Sequence, residues 1–352
     1  MVQPALIAMK SVAVAILNWN GKNWLEKFLP NVIAHSEEVA DIVIIDNGST
    51  DDSFDFCSKN FPSVQWIGLE KNHGFAGGYN EGLQHLAHPY FMLLNSDVEV
   101  TPNWLLPLID WMEERPALAA CQPKVIDYQT KIQFEYAGGA GGYLDKDGYA
   151  FCAGRMFYAF EKDNGQYQGR KDVFWATGAA MMIRKSAWIE VNGFDADFFA
   201  HMEEIDLCWR LKNRGYSIGA ELNSTVYHVG GGTLDRQNPM KTYLNFRNNL
   251  YLITKNHRRS ALFFHIFRRL ILDGVAGIRF ATETKWPHLR AVVRAHFSFY
   301  VMLPNMLKKR KLESPHIKEI NNSGLYKSSV VYAFFIQHKS KFSQLDPRSF
   351  VQ

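Results

Sequence analysis

Apolar positions in the first hundred residues fall into short unbroken runs, separated by longer stretches where apolar and polar residues alternate at helical spacing. Residues 12–17 form one run, 41–46 (DIVIID) a second, 65–69 a weaker third and 90–95 (YFMLLN) a fourth. Their length and β-branched content predict buried strands. Residues 23–35, 51–60 and 76–87 predict the intervening helices, and Ser49-Thr50-Asp51-Asp52 offers N-cap chemistry for the second. Buried strands alternating with helices predict an α/β fold, with a mostly parallel twisted sheet and helices on both faces. Residues 117–168 are rich in Gly and Tyr and predict antiparallel strands and loops, with 138–142 (GGAGG) a flexible stretch suited to a lid. Residues 172–184 predict a buried strand interrupted at Thr177-Gly178. Residues 200–215 predict a helix stopped by Gly215, and 226–228 end a short strand before Gly230-Gly231-Gly232.

In open parallel sheets, ligands bind beyond the carboxyl ends of the strands. Polar residues gather there: Asn18-Trp19-Asn20-Gly21 after the first strand, Asp46-Asn47-Gly48-Ser49-Thr50-Asp51 after the second, Asn72-His73-Gly74 after the third and Asn95-Ser96-Asp97 after the fourth. One such end is ordinary turn chemistry. Four on one edge predict a ligand cleft. The glycines of 74–78 open a helix after the third strand, so they do not match a dinucleotide fingerprint, but small residues there permit phosphate contact. Asp97, just past a buried strand, suits Mg²⁺ or Mn²⁺ bridging a substrate diphosphate. His228, at another strand end, is either a second ligand or a hydrogen-bonded structural histidine. Glu203, Glu204 and Asp206 begin a helix, where acids favour the dipole and Asp206 can pair with Arg210. Behind the apolar Phe198-Phe199, the two glutamates are candidates for a general base.

The composition, 47% hydrophobic and 21% charged over 352 residues, excludes a disordered chain. Cys57, Cys121, Cys152 and Cys208 are scattered, as expected of core thiols in a reducing compartment. Neither a signal peptide nor a membrane-spanning stretch is expected. Charge changes the picture further. Residues 255–311 hold thirteen Lys and Arg against Asp273 and Glu283, a net +11 in a chain of +4 overall, so the remainder carries −7. A boundary near residue 240 follows: a catalytic part over 1–240, with halves of about 1–115 and 116–240, then a basic, aromatic, helical extension over 241–352. On a helical wheel Leu262, Phe263, Ile266, Phe267, Leu270, Ile271, Val275 and Ile278 share one side, with His265, Arg268, Arg269, Asp273 and Arg279 on the other. Such a helix either lies on an anionic membrane or packs on the catalytic part with its basic face in solvent. No nucleic-acid motif accompanies it, so nucleic acid is not an expected partner.

Taken in order, ILNWNG, IIDNGSTDDS, NHGFAGGYNEG, LLNSDV, TGAAMMIRKSAW, GFDADFFAHMEEIDLCWRLKNRGY and the later H-x-x-G-G resemble the family 2 glycosyltransferases of the GT-A fold, especially bacterial rhamnosyltransferase-like members. The resemblance covers residues 12–232. It implies that Asn18, Asn20, Asp46 and Asn47 line the nucleobase and ribose pocket, that Asn72, Gly74 and Asn80 continue the nucleotide-sugar site, and that Asn95-Ser96-Asp97 stands where the family has its DxD motif. Asp97 is the retained acid, one carboxylate where many members have two, and His228 the later metal ligand. Glu203-Glu204 occupies the ED position, with Glu204, in place of the usual Asp, as base. Trp175, Thr177 and Gly178 would shape the sugar and acceptor site. The implied reaction is inverting transfer from a nucleoside-diphosphate sugar, dTDP-rhamnose or a UDP-hexose favoured, to a glycan or polyprenyl-linked acceptor in cell-surface polysaccharide synthesis. The expected location is the cytoplasm, peripheral on the inner membrane. Rival expectations are a non-catalytic sugar-nucleotide or glycan-binding module, which needs no base, and a nucleotidyltransferase, which needs a basic Gly-rich loop where Asn18-Trp19-Asn20 stands.

Overall fold

The computed structural model describes residues 10–230, 238–257, 262–316 and 320–352. Gly231, Gly232, Arg258, Arg259 and the first nine residues, on which some of the expectations above rest, lie outside the described residues. The four apolar runs are strands β1 (Val12–Asn18), β2 (Ala40–Asp46), β3 (Gln65–Gly68) and β4 (Tyr90–Asn95), alternating with helices α1 (Lys22–Ser36), α2 (Ser53–Asn60) and α3 (Gly74–Leu83). In the order β3-β2-β1-β4 all neighbours are parallel. Val12, Val14 and Ile16 of β1 enter one core while Ala13 and Ala15 enter the other, which is why the run reads as continuously apolar. Asp51 holds the start of α2, its Oδ1 accepting the Ser53 N–H at 3.2 Å. On the other face α3 lies so close to the sheet that a Cβ on Gly82 would stand 2.4 Å from Ile45 Cγ2.

Beyond β4 the chain forms β5 (Val98–Val100), α4 (Leu106–Glu114) and β6 (Leu118–Asp127), then an insert of short strands β7 (Gly142–Asp145), β8 (Ala150–Cys152), β9 (Arg155–Met156) and β10 (Ala159–Phe160). It returns through β11 (Arg170–Val173), β12 (Ala180–Arg184), α5 (Lys185–Glu190), α6 (Glu203–Asn213) and β13 (Ser217–His228). The large sheet has the order β11-β13-β6-β12-β4-β1-β2-β3, with β5 on β13. Its second half is mixed, because β12 runs antiparallel to both β4 and β6 and β11 runs antiparallel to β13. Parallel pairing runs through the first four strands and again between β6 and β13, with the antiparallel strands β12, β11 and β5 set between and beside them. Residues 172–184 are also two strands lying apart in the sheet, joined across Thr177-Gly178, and His228 ends a twelve-residue strand instead of a short one.

The lid expected at 138–142 is not one. These residues are buried, and added Cβ atoms would stand 2.6 Å from Thr177 Cβ at Gly138 and 2.2 Å from the Trp175 ring at Gly142. Small size here serves close packing.

Helices α7 (Pro239–Asn256), α8 (Leu262–Thr282) and α9 (Trp286–Glu313) follow, α7 packed along α9 and α8 against both. The tail adds β14 (Leu325–Tyr326), parallel to β7 in the order β10-β9-β8-β7-β14, and α10 (Val330–Phe335). Of the two orientations open to α8, packing on the protein with the basic side in solvent holds only in part: Arg268 and Arg279 are exposed, but the rest of that side is not. Arg269 and Asp273 point inward, paired at 2.8 Å, while Phe263, Phe264, Phe267, Ile271, Val275 and Ile278 point out. Arg269 is held there by Asn249 and by the face of Tyr149, 3.7 Å away, so its charge is satisfied within the fold. Among the described residues no helix is long and apolar enough to cross a membrane. All four cysteines are buried and free.

Candidate active site

The carboxyl ends of β1 and β2 are tied side by side. The Asn18 amide donates to Asp46 Oδ1 at 2.9 Å and to Ser49 Oγ at 3.2 Å, and Ser49 Oγ donates in turn to Asp46 Oδ1 at 2.5 Å. Asn20, whose φ is +49°, receives the Thr50 N–H on its Oδ1 at 2.8 Å. Asn47 donates to Asn72 Oδ1 and to Gly74 O, each at 3.0 Å, and accepts the His73 N–H at 2.9 Å. Gly74 adopts φ +72°, and a Cβ there would press within 3.1 Å of the Phe199 ring. Asn18, Asn20, Asp46, Asn47, Asn72 and Gly74 thus form one connected rim at the strand ends. Asn80 stands apart from it: its Oδ1 accepts the Phe194 N–H and its Nδ2 donates to Phe194 O, so its amide braces α3 against the Phe194 loop.

β4 ends in Asn95-Ser96-Asp97, and β13 brings His228 alongside. His228 Nε2 lies 3.2 Å from Asp97 Oδ1 and 3.4 Å from Asn95 Nδ2, and its Nδ1 is 3.4 Å from Glu135 Oε2. Burial opposes a charge on this ring, but Asp97 and Glu135 outweigh it and hold the imidazole up to about 10. Glu135, buried between β6 and β7, was not among the residues expected from the sequence. Among the described residues no three His, Cys, Asp or Glu side chains are grouped to hold a metal by themselves. Asp97 and His228 nevertheless fit a divalent cation whose other ligands are diphosphate and water oxygens, provided the cation takes the place of the Nε2 proton that Asp97 otherwise favours, since one carboxylate, one imidazole nitrogen and a carboxylate behind the ring are then a suitable donor set.

The backbone entering α6 is strained. Phe199, His201 and Met202 have φ of +63°, +68° and +74°. Such a conformation persists only when its surroundings hold it, and α7 does so: Asn248 Nδ2 donates to the carbonyls of Phe198, Ala200 and His201 at 2.9, 2.9 and 2.7 Å. Glu203 and Glu204 follow in the first turn of α6. Each has an Oε2 shut from solvent without a hydrogen-bond partner, and so does His201 at Nε2. Burial, strengthened by the neighbouring Glu204, pushes Glu203 well up; burial lifts Glu204 to about 7 against its backbone N–H bonds. Burial, with Lys241 nearby, holds His201 down to about 4 and therefore neutral. Asp206 is wholly absorbed in structure, accepting from Arg210 at 2.7 Å, Lys255 at 2.9 Å and Asn256 at 2.7 Å.

The two acidic clusters border one turn. The Asn95 N–H donates to Ala179 O at 3.0 Å, and a Cβ on Gly178 would lie 3.7 Å from Glu204 Cβ and 3.4 Å from the Phe75 ring. Thr177, Gly178 and Ala179 thus separate the end of β4 from the start of α6. Thr177 is buried, its hydroxyl accepting the Ala179 N–H and its own N–H donated to Gln122 Oε1. Trp175 is buried too, with its indole N–H given to Tyr143 O at 2.9 Å. It supports the wall from behind instead of presenting a ring to an acceptor. A connected polar rim, a carboxylate–imidazole pair and two desolvated carboxylates therefore lie around the same edge of the sheet.

Residues 11–191 match the family model described as Glycosyl transferase family 2. Similar proteins include the low-salt glycan biosynthesis hexosyltransferase Agl10 of Haloferax volcanii, 22% identical over 68% of this chain and 74% of that protein. Another is the N-acetylglucosaminyl-diphospho-decaprenol L-rhamnosyltransferase of Mycobacterium tuberculosis, 25% identical over 59% of this chain and 73% of that one. Among solved structures, a mannosyltransferase from Pyrobaculum calidifontis with GDP-Man and Mn²⁺ superposes with a TM-score of 0.53 at 11% identity, covering 85% of this chain and 89% of the other. GalNAc-T7 with UDP, GalNAc and Mn²⁺ gives 0.54 at 16%, covering 71% of this chain and 48% of that enzyme. The shared architecture is the GT-A fold, and with more than half its length matching the family model, this chain belongs to the family 2 glycosyltransferases.

Proposed function

We propose that this glycosyltransferase inverts the anomeric centre, moving a sugar from a nucleoside-diphosphate donor, dTDP-rhamnose or a UDP-hexose, to a hydroxyl of a glycan or polyprenyl-linked glycan in cell-surface polysaccharide synthesis. The observation that carries the reading is the pair of desolvated carboxylates at the start of α6, bordering the same turn as Asn95 at the end of β4, two residues before Asp97. Binding alone needs no such pair, because a carboxylate oxygen buried without a hydrogen-bond partner costs stability and is retained where it moves a proton.

In this reading the rim of Asn18, Asp46 and Asn47 receives the nucleoside and the Gly74 turn admits the diphosphate. Asp97 and His228 would hold a divalent cation, which supplies charge neutralisation for the departing diphosphate. Glu204 accepts the proton of the acceptor hydroxyl as its oxygen bonds to the anomeric carbon; the bond from that carbon to the diphosphate oxygen breaks, and its electron pair leaves with the nucleoside diphosphate. Glu203, held protonated by burial beside it, leaves Glu204 as the carboxylate that ionises near neutral pH. The lipid-carried acceptor places the enzyme on the cytoplasmic face of an anionic membrane.

Glu204→Gln tests the assignment. Transfer of labelled sugar is expected to fall by about 10²–10⁴-fold while calorimetric affinity for the nucleoside diphosphate stays within twofold or so. Turnover at the wild-type rate would remove Glu204 as the base.

A further inference from the structure

Helix α8 is built inside out. A helix packed on a protein body turns its apolar stripe inward, yet here the buried side carries the ion pair Arg269–Asp273, and although Ile266 and Leu270 pack inward, Phe263, Phe264, Phe267, Ile271, Val275 and Ile278 face away. Phe263 is 73% exposed, Phe264 70% and Ile278 66%. Successive outward residues Phe264, Phe267, Ile271, Val275 and Ile278 fall at helical spacing, forming a continuous stripe along the helix. Neighbouring α9 carries a second outward stripe, Val293, Phe297, Tyr300 and Val301, the last 79% exposed. Trp286, at the bend joining the two helices, is also outward. Isolated exposed apolar residues need no explanation, whereas two long aromatic stripes on packed neighbouring helices mark a contact surface.

We propose that the outward face of the α8–α9 hairpin is the membrane-docking surface of this enzyme, with its apolar stripes seated at the headgroup–acyl boundary of an anionic bilayer. The inference rests on the proposed lipid-carried acceptor for its biological sense, but its physical basis is separate. Charge selects the occupant. Arg268 and Arg279 flank the α8 stripe, Arg268 paired with Asp147 and Arg279 sharing Glu283 with Lys285, while Arg290, Lys308 and Lys311 are exposed on α9, so positive charge is in excess along this border. Such a border attracts anionic headgroups and repels the same face of a second copy, which brings an equal positive charge. Trp286 and Tyr300 suit the bilayer interface, where an apolar ring with a polar edge is favoured. Since no described helix is long and apolar enough to span, the surface lies on the membrane instead of crossing it.

The opposite side of the hairpin explains the inversion. Lys309 of α9 is ion-paired with Asp195 at 2.5 Å and Asp197 at 2.6 Å, and Asn305 donates to Asp197 at 2.7 Å. Those acids belong to the loop leading into Glu203 and Glu204. Phe299 and Met306 of α9 enter the main core and Ile266 and Leu270 of α8 pack against it, so the hairpin is anchored by both apolar and polar contacts while the outward stripes stay uncovered.

Flotation of the full chain with vesicles of phosphatidylcholine, alone or with 30% phosphatidylglycerol, tests the surface. Wild-type protein is expected to float with the anionic vesicles at low salt, and Phe267→Asp/Ile271→Asp to lose at least about tenfold in partitioning. Because both side chains point outward, the double variant should retain its circular dichroism and its calorimetric affinity for nucleoside diphosphate. Absence of wild-type flotation, or equal flotation of the folded variant, overturns the proposal. So does a wild-type dimer in light scattering that the variant converts to monomer, because the second copy then covers this face. Flotation without any nucleoside diphosphate binding overturns the glycosyl-transfer reading and leaves the docking surface standing.

Discussion

His228 faces Asp97 with one ring nitrogen because Glu135 stands behind the other. A carboxylate behind a ligating imidazole fixes its orientation and raises its basicity, and losing it typically lowers metal affinity about 10–100-fold. Glu135→Gln is therefore expected to weaken Mn²⁺-dependent binding of nucleoside diphosphate by about that factor, with little change in cation-free affinity; equal calorimetric titrations of variant and wild type would exclude the role. Asp97 was legible in the sequence because it follows a strand whose apolar run is unmistakable. Glu135 was not, since it lies in an irregular insert and meets His228 only after β13 has crossed the sheet. Asn80 and Trp175 have the residue types expected of a sugar site, but Phe194 and Tyr143 consume their polar groups, which only coordinates reveal. Glu204 makes a pH prediction: as a base lifted to about 7, it should make kcat/KM fall tenfold per pH unit below that value. The same shift bears on stability. The folded value lies above the ordinary 4.5, so the contribution to stability is complete below that pH and is lost as pH rises through about 7. Above pH 7, Glu204→Gln should therefore melt at a higher temperature than wild type, and a lower melting temperature would contradict the burial argument.

The strained turn before α6 and the inverted helix α8 each depend on a neighbouring element. Asn248 of α7 shares the two hydrogens of its amide among three carbonyls of the turn, one of which, Phe198 O, also accepts from Arg247. Asn248→Ala leaves those carbonyls without that donor and is expected to cost about 2 kcal/mol of stability, with kcat falling more than KM because the Glu203–Glu204 pair loses its placement. Urea unfolding and steady-state kinetics check both, and an unchanged kcat would show that the turn keeps its shape alone. Local pattern was sufficient for β1 to β4 and α1 to α3, whose apolar runs face the cores on both sides of the sheet. It failed for β12, because a strand buried on both faces carries no sign of its direction; only the return from the insert makes it antiparallel to β4. For α8 the wheel sorted side chains by polarity and left two orientations open, because nothing in the pattern shows that Asn249 and Tyr149 make the inner side hospitable to Arg269.

At the scale of the molecule, the basic extension is threaded into the catalytic part, although its charge had marked it off in the sequence. β14 completes the insert sheet, and Lys255 of α7 bridges Asp195 and Asp206 at 2.7 and 2.9 Å. Breaking a buried ion pair from one side leaves uncompensated charge, so Lys255→Met is expected to destabilise the whole fold by about 3 kcal/mol in a single unfolding transition. Separate transitions for the two parts would show that the extension folds independently. The GT-A architecture gathers the ends of β1, β2 and β4, the Thr177–Ala179 turn and the start of α6 at one sheet edge, and the proposed chemistry requires all of them around one bound donor. Anomalous scattering from crystals of Glu204→Gln grown with Mn²⁺ and a nucleoside diphosphate sugar measures this directly. The expected map shows the manganese peak between Asp97 and His228, with the sugar extending from it toward residue 204. A manganese peak away from Asp97, or a sugar pointing away from the start of α6, would contradict the shared site.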